Sequence, residues 1–197
     1  WLERADCMTR EGVVPVLEAA RTAAVTVVHA PSPNVASDYP EHLSRHSPSE
    51  SRPSCDWPPP EFRRREGEYY AFRGPRAQPP GIPKLEFAMS PHITVEEADE
   101  LVETGQQLHE LCHRRQILHL IYVGFATNWC VLNRDYGMRA MAARGYNLIL
   151  LRDATMGVEF PDTLGQLTAT EMAIREAEQQ LGFSATRDDL IAACASC

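Results

Sequence analysis

Lysine is almost absent from this chain. Of 19 basic residues in 197, Lys84 alone is a lysine, so any chemistry that depends on an amine side chain has one candidate. Long apolar runs are also lacking: none approaches the roughly 20 residues that span a bilayer, and no basic segment followed by an apolar stretch and a cleavage site opens the chain. The sequence reads as cytoplasmic, with no membrane partner. Excess positive charge is missing too, since 19 basic against 27 acidic residues give a formal charge of −8. Such a chain repels phosphate backbones, which argues against nucleic acid as a partner. The six cysteines, Cys7, Cys55, Cys112, Cys130, Cys194 and Cys197, are scattered without a secretory signal and read as free thiols rather than a disulfide framework. An initiator methionine is lacking as well, the first residue being Trp1.

What is present suits an ordinary globular chain, 44% hydrophobic and 23% charged. At this size about 70% of the unfolded surface can be buried, enough for a core without staples. Residues 1–197 therefore read as a single domain. Leu2, Val13, Val14, Val16, Leu17 and Ala20 recur at near-helical spacing over residues 2–21. Residues 23–30, AAVTVVHA, form a β-branched apolar run of the kind buried on both faces of a parallel sheet. Residues 31–92 carry thirteen of the fifteen prolines and balanced charges, and read as an insertion without sheet interior or long helix. Regularity resumes with a helix over 106–115 and a strand over 117–124. A helix over 130–144, a strand over 146–151 and a helix over 164–181 follow. The run Thr186-Arg-Asp-Asp189 resembles a capping box opening a last helix. The alternation predicts an α/β fold with a parallel sheet, whose ligands bind beyond the carboxyl ends of strands.

The segment Gly124-Phe-Ala-Thr-Asn-Trp-Cys130 runs from such a strand into a helix. Helix N-terminal amides and the dipole stabilise a thiolate, the reactive form of cysteine, and can also receive a developing oxyanion. Position alone leaves two readings of Cys130 open, a nucleophile and an inert buried thiol.

The residues Val-Gly-Phe-Ala-Thr-Asn-Trp-Cys-Val, with Gly145-Tyr-Asn-Leu-Ile-Leu-Leu-Arg-Asp-Ala-Thr155 downstream, resemble the signature of the isochorismatase-like cysteine hydrolases, which include nicotinamidases and N-carbamoyl amidohydrolases. The resemblance implies a three-layer α/β/α sandwich around a mostly parallel, six-stranded Rossmann-like sheet. It also implies an Asp, Lys and Cys triad that hydrolyses amide-like bonds of a small-molecule substrate through a thioester, with no cofactor. Relatives are commonly dimers or tetramers, so a homo-oligomer is expected. By the same motif Cys130 is the nucleophile, Phe125-Ala126 is a cis peptide, Thr127 and Asn128 fix the turn, and the Ala126 and Cys130 amides form the oxyanion hole.

The family's aspartate ends a first strand for which this chain has no residues, so Trp1 reads as a cut inside the fold and the domain as N-terminally truncated. The lysine's place falls near Thr104, and Lys84 lies about twenty positions earlier. His29, Lys84, Thr104, Asp153 and Glu159 are the further pocket candidates. No metal is expected: His109 and His113 lie four apart, but an exposed polar helix face accounts for them, and the Cys194–Cys197 pair lies at a chain end rather than between a strand and a helix. Arg63-Arg64-Arg65, with Glu66 and Glu68, read as a solvated, self-paired run. Two functions compete: a cysteine hydrolase, and a catalytically impaired member kept as a binding or oligomeric scaffold.

Overall fold

The computed structural model describes residues 2–43, 59–72 and 88–196. Lys84, Cys55 and Cys197 lie outside them. Two compact units make up the chain, one of residues 1–47 with 88–197 and one of 48–87.

In chain order the elements are α1 (Leu2–Met8), a π-helical turn (Thr9–Val13), α2 (Val14–Thr22), β1 (Val28–His29), and the short helices α3 (Pro33–Ala36) and α4 (Pro40–Leu43). The smaller unit holds α5 (Pro60–Arg64) and a 3-10 helix (Gly67–Phe72). Then come β2 (Glu100–Leu101), α6 (Gly105–Arg115), β3 (His119–Phe125), a second π turn (Thr127–Val131), α7 (Met138–Ala143), β4 (Asn147–Met156), α8 (Thr168–Gln180), β5 (Phe183–Ala185) and α9 (Arg187–Ala195).

This is a mixed α/β fold with parallel sheets. Five strands are found among the described residues, in a two-stranded sheet, β1-β2, and a three-stranded sheet, β3-β4-β5, rather than one sheet of six. The period of two along β3 and β4 assigns the faces of the larger sheet. Leu148 and Leu150 join Leu111 of α6, Met138 and Met141 of α7 and Ile174 and Ala177 of α8 in one cluster, with Leu120 and Tyr122 against it. Val123, Ile149, Leu151 and Ala154 face the other way, toward Val16 of α2 and Leu190 of α9. Helices thus cover both faces.

Several boundaries differ from the sequence expectation, each for a local reason. The apolar run at 23–30 yields only a two-residue strand, because α2 consumes its start: Ala24 turns left-handed at φ 55° and the Val25 amide returns to the Ala20 carbonyl at 2.9 Å. The helix expected over 130–144 is broken. The chain doubles back at Asp135–Gly137, where a Cβ on Gly137 would stand 2.8 Å from the Val131 carbonyl oxygen, and α7 begins only at Met138. β4 continues five residues beyond the expected Leu151. Tyr122 pairs with Leu150 and Gly124 with Thr155, so the stretch between them in β4 bulges. In the smaller unit, Arg65 stacks 4.1 Å over the Phe62 ring and Arg64 pairs with Glu66 at 2.9 Å.

Candidate active site

The segments after β1, β2 and β4 all bond to the stretch that follows β3. β3 leads through Gly124, at φ 93°, into a cis peptide between Phe125 and Ala126 and then the π turn that carries Cys130. The turn is held from both sides. The Thr155 hydroxyl donates to the Gly124 carbonyl at 2.8 Å, so the 2.7 Å bond between Thr127 and Thr155 has Thr127 as donor. The Asn128 amide group donates to the Val158 carbonyl at 3.0 Å and accepts from the Val158 amide at 2.8 Å. Gly157 makes room for this clasp, since a Cβ there would lie 3.0 Å from Asn128 Oδ1.

Cys130 is half-buried and Trp129 beside it is 46% exposed. One turn later Arg134 donates from Nη2 to Ser32 Oγ, in the loop after β1, at 3.0 Å. Burial pulls the Arg134 guanidinium pKa down, but the electrostatic influence of Cys130, Tyr136 and Asp135 more than offsets it, and its pKa lies above the ordinary value. Tyr136 Oη donates to the Pro31 carbonyl at 2.9 Å. Asp135 accepts from the Gly105 amide at 2.7 Å, tying the loop to the start of α6.

His29, 9% exposed at the end of β1, is bonded through Nε2 to Asp99 at 3.0 Å. A carboxylate only accepts, so Nε2 carries the proton. Burial holds the His29 pKa below its ordinary value of 6.5, against the opposing pull of Asp99. Asp99, 2% exposed, also takes two bonds from Arg21, at 2.5 and 3.2 Å, and one from the Glu96 amide at 3.1 Å. Its burial raises the pKa, but these donors outweigh it and hold the carboxyl below the usual 3.8.

The remaining expected pocket residues go elsewhere. Thr104 is the N-cap of α6, its hydroxyl accepting from the Gln107 amide at 3.2 Å. Glu159 binds the start of α8, accepting from the Ala169 and Thr170 amides at 3.0 and 2.7 Å. Asp153 accepts from the Arg187 amide at 2.8 Å and lines a cavity of about 370 Å³ with Arg4, Cys7, Glu11 and Arg187, which Cys130 does not line. Lys84 is outside the described residues. His109 bonds Tyr146 Oη at 2.8 Å, and among the described residues no three His, Cys, Asp or Glu side chains are grouped to hold a metal.

A family model, the isochorismatase domain, matches residues 5–188. The chain belongs to the isochorismatase family. It is similar in structure to a cysteine hydrolase from Pseudomonas syringae pv. phaseolicola 1448A, with a TM-score of 0.56 and 17% identity over 93% of this chain and 78% of that one. It is also similar to a proposed isochorismatase from Burkholderia xenovorans LB400, with a TM-score of 0.48 and 17% identity over 93% and 73% of the two chains. No curated protein sequence matches. Within this isochorismatase-family domain, Arg134 and Ser32 are the members of the cluster that the sequence reading missed. The i, i+4 spacing of Cys130 and Arg134 carries a signal for the first; Ser32 lies 102 residues away from Arg134 and carries none. Asp99, 70 residues from His29, was equally invisible.

Proposed function

We propose that the chain is a cysteine-dependent hydrolase in which Cys130 attacks an amide, carbamoyl or related carbonyl carbon of a small molecule. The observation that carries this reading is the place of Cys130, half-buried in the first turn after β3 where the loops from β1 and β2 also arrive. A thiolate there forms a C–S bond while the carbonyl electron pair moves to oxygen, and the amides of Ala126 and Cys130 serve as its oxyanion hole. The leaving group departs with the proton lost by the thiol. Water then cleaves the thioester, releasing the acid and restoring the thiol. Cys130→Ala and Cys130→Ser are expected to lower turnover of a responsive small amide or carbamoyl compound about a thousandfold or more, with fold unchanged by circular dichroism. Full activity in both variants would remove the thiol from the mechanism.

A second reading has its own observation. Thr104, near the place of the family's lysine, is occupied as a helix cap, and the chain's single lysine is Lys84. These support a catalytically impaired scaffold. Its mark is a folded chain that turns over no member of an amide, carbamoyl and ester panel, and in which Cys130→Ala is indistinguishable from the parent.

A further inference from the structure

The cavity of about 370 Å³ that Asp153 lines is bounded by neither Cys130 nor any other residue of the turn that carries it. Its volume falls within the range of about 300–1,000 Å³ usual for small-molecule pockets, and it lies at the carboxyl end of β4, the end at which open α/β sheets bind ligands. Three elements are pinned around it. Arg187, the first residue of α9, gives its amide to Asp153 of β4 at 2.8 Å and its guanidinium to the Glu11 carbonyl in the first π turn. Gly12 lets that turn lie against the strand, since a Cβ there would stand 3.1 Å from the Asp153 carbonyl oxygen.

The lining divides by burial. Met156 is fully buried and Met8 and Leu167 are half-buried, which gives an apolar inner surface. Arg4 and Glu11 are exposed at its edge. Asp153 and Arg187 pair with each other at 3.9 Å, but among the described residues neither the Arg4 guanidinium nor the Glu11 carboxylate has an ion-pair partner, although both line this one cavity. Two opposite charges that do not close on each other are complementary to a ligand carrying both. The two methionine sulfurs beside them suit an aromatic ring.

We propose that this cavity binds a free aromatic α-amino acid, with its carboxylate on Arg4, its ammonium on Glu11 and its ring against Met8, Met156 and Leu167. Burial of the ring supplies the bulk of the affinity, and the two charge-assisted contacts select a zwitterion. Arg4 takes the carboxylate through its planar fork of donors, and Glu11, acceptor-only when ionised, takes the ammonium. Cys7 also lines the cavity and is half-buried; Glu11 beside it raises the thiol above its ordinary pKa of 9.0. It is a slow thiol there, suited to report occupancy. Nothing in this site depends on the role of Cys130.

The test is equilibrium dialysis of L-phenylalanine against the full chain at about pH 7.5, paired with iodoacetamide alkylation followed by peptide mass spectrometry that resolves Cys7 from Cys130. Saturable binding is expected with a Kd below about 1 mM. At saturation the ligand slows Cys7 alkylation about threefold or more and leaves the Cys130 rate unchanged. 3-Phenylpropionate, which lacks the ammonium, and phenethylamine, which lacks the carboxylate, each bind about five- to tenfold more weakly. Arg4→Gln removes the preference for phenylalanine over phenethylamine, and Glu11→Gln removes the preference over 3-phenylpropionate. Both residues are exposed, so the circular dichroism of each variant matches that of the parent. A Kd above about 1 mM, or no binding, overturns the proposal. Binding that leaves Cys7 alkylation unchanged also overturns it, because the ligand then sits elsewhere. Equal binding of the three compounds, or preferences that survive both substitutions, overturns the assignment of the two charges and with it the proposal.

Discussion

At the scale of single residues, the buried pair of His29 and Asp99, with the half-buried Arg21 beside it, sets how the fold responds to acid. His29 is neutral in the fold and its pKa lies below 6.5. On acidification the unfolded chain takes up that proton first, so the stability conferred by a neutral His29 is complete above about pH 6.5 and fades below it. Asp99 follows at lower pH: its folded carboxyl is depressed below 3.8, so its contribution is complete above 3.8 and is lost as the pH falls through the folded value. The urea midpoint is therefore expected to drop between about pH 7 and pH 5, and to drop less in His29→Gln. Asp99→Asn leaves a guanidinium and an imidazole without their carboxylate and is expected to cost about 3 kcal/mol in urea unfolding at neutral pH. A midpoint in Asp99→Asn equal to that of the parent would show the trio to be dispensable. None of this was legible in the sequence, since His29 and Asp99 are 70 residues apart, whereas the place of Cys130, in the first turn after a strand, was legible because it belongs to a local strand-to-helix junction.

At the scale of elements, α8 shows how a helix start can be set from outside its own run. The periodic residues begin at Leu164, but the helix begins at Thr168, after Leu167 turns left-handed at φ 54° without a side-chain cap. Glu159 supplies the cap from nine residues upstream of Thr168, binding the Ala169 and Thr170 amides and the Thr170 and Thr163 hydroxyls. Burial raises the Glu159 pKa, but these four donors outweigh it and hold the carboxyl below its usual value. Glu159→Ala is expected to destabilise the chain by about 1–2 kcal/mol, read as a lower thermal midpoint, with the alkylation rate of Cys130 unchanged. The same contrast explains which elements could be foreseen. α6 and α9 each carry a Thr N-cap with its reciprocal partner three residues on, a local signal. The bulge in β4 depends on pairing with β3 and gives no such sign: the polar pair Arg152-Asp153 looks like the end of a strand.

At the scale of the whole molecule, the larger sheet separates two cores of unequal size. Leu150 lies in the cluster shared by α6, α7 and α8 and is fully buried, while Leu151 faces α2 and α9 in a cluster of three buried residues with half-buried neighbours. A cavity on the first side is walled by groups that cannot relax, whereas the second side can partly collapse. Leu150→Ala is expected to cost about 3–4 kcal/mol and Leu151→Ala about 2–3, measured as urea midpoints with a common slope. An equal or reversed order would show that the smaller cluster is the better packed. The parallel, helix-covered design behind both cores was readable from the alternation of apolar runs. The division into two sheets depends instead on pairing among segments far apart in the chain.

The carboxylate of Asp135, which holds the first amide of α6, sits one residue from Arg134, whose guanidinium reaches Ser32 in the loop after β1. One bond thus ties the start of α6 to the loop that follows Cys130, and hydrogen exchange at the Gly105 amide is expected to quicken in Asp135→Asn.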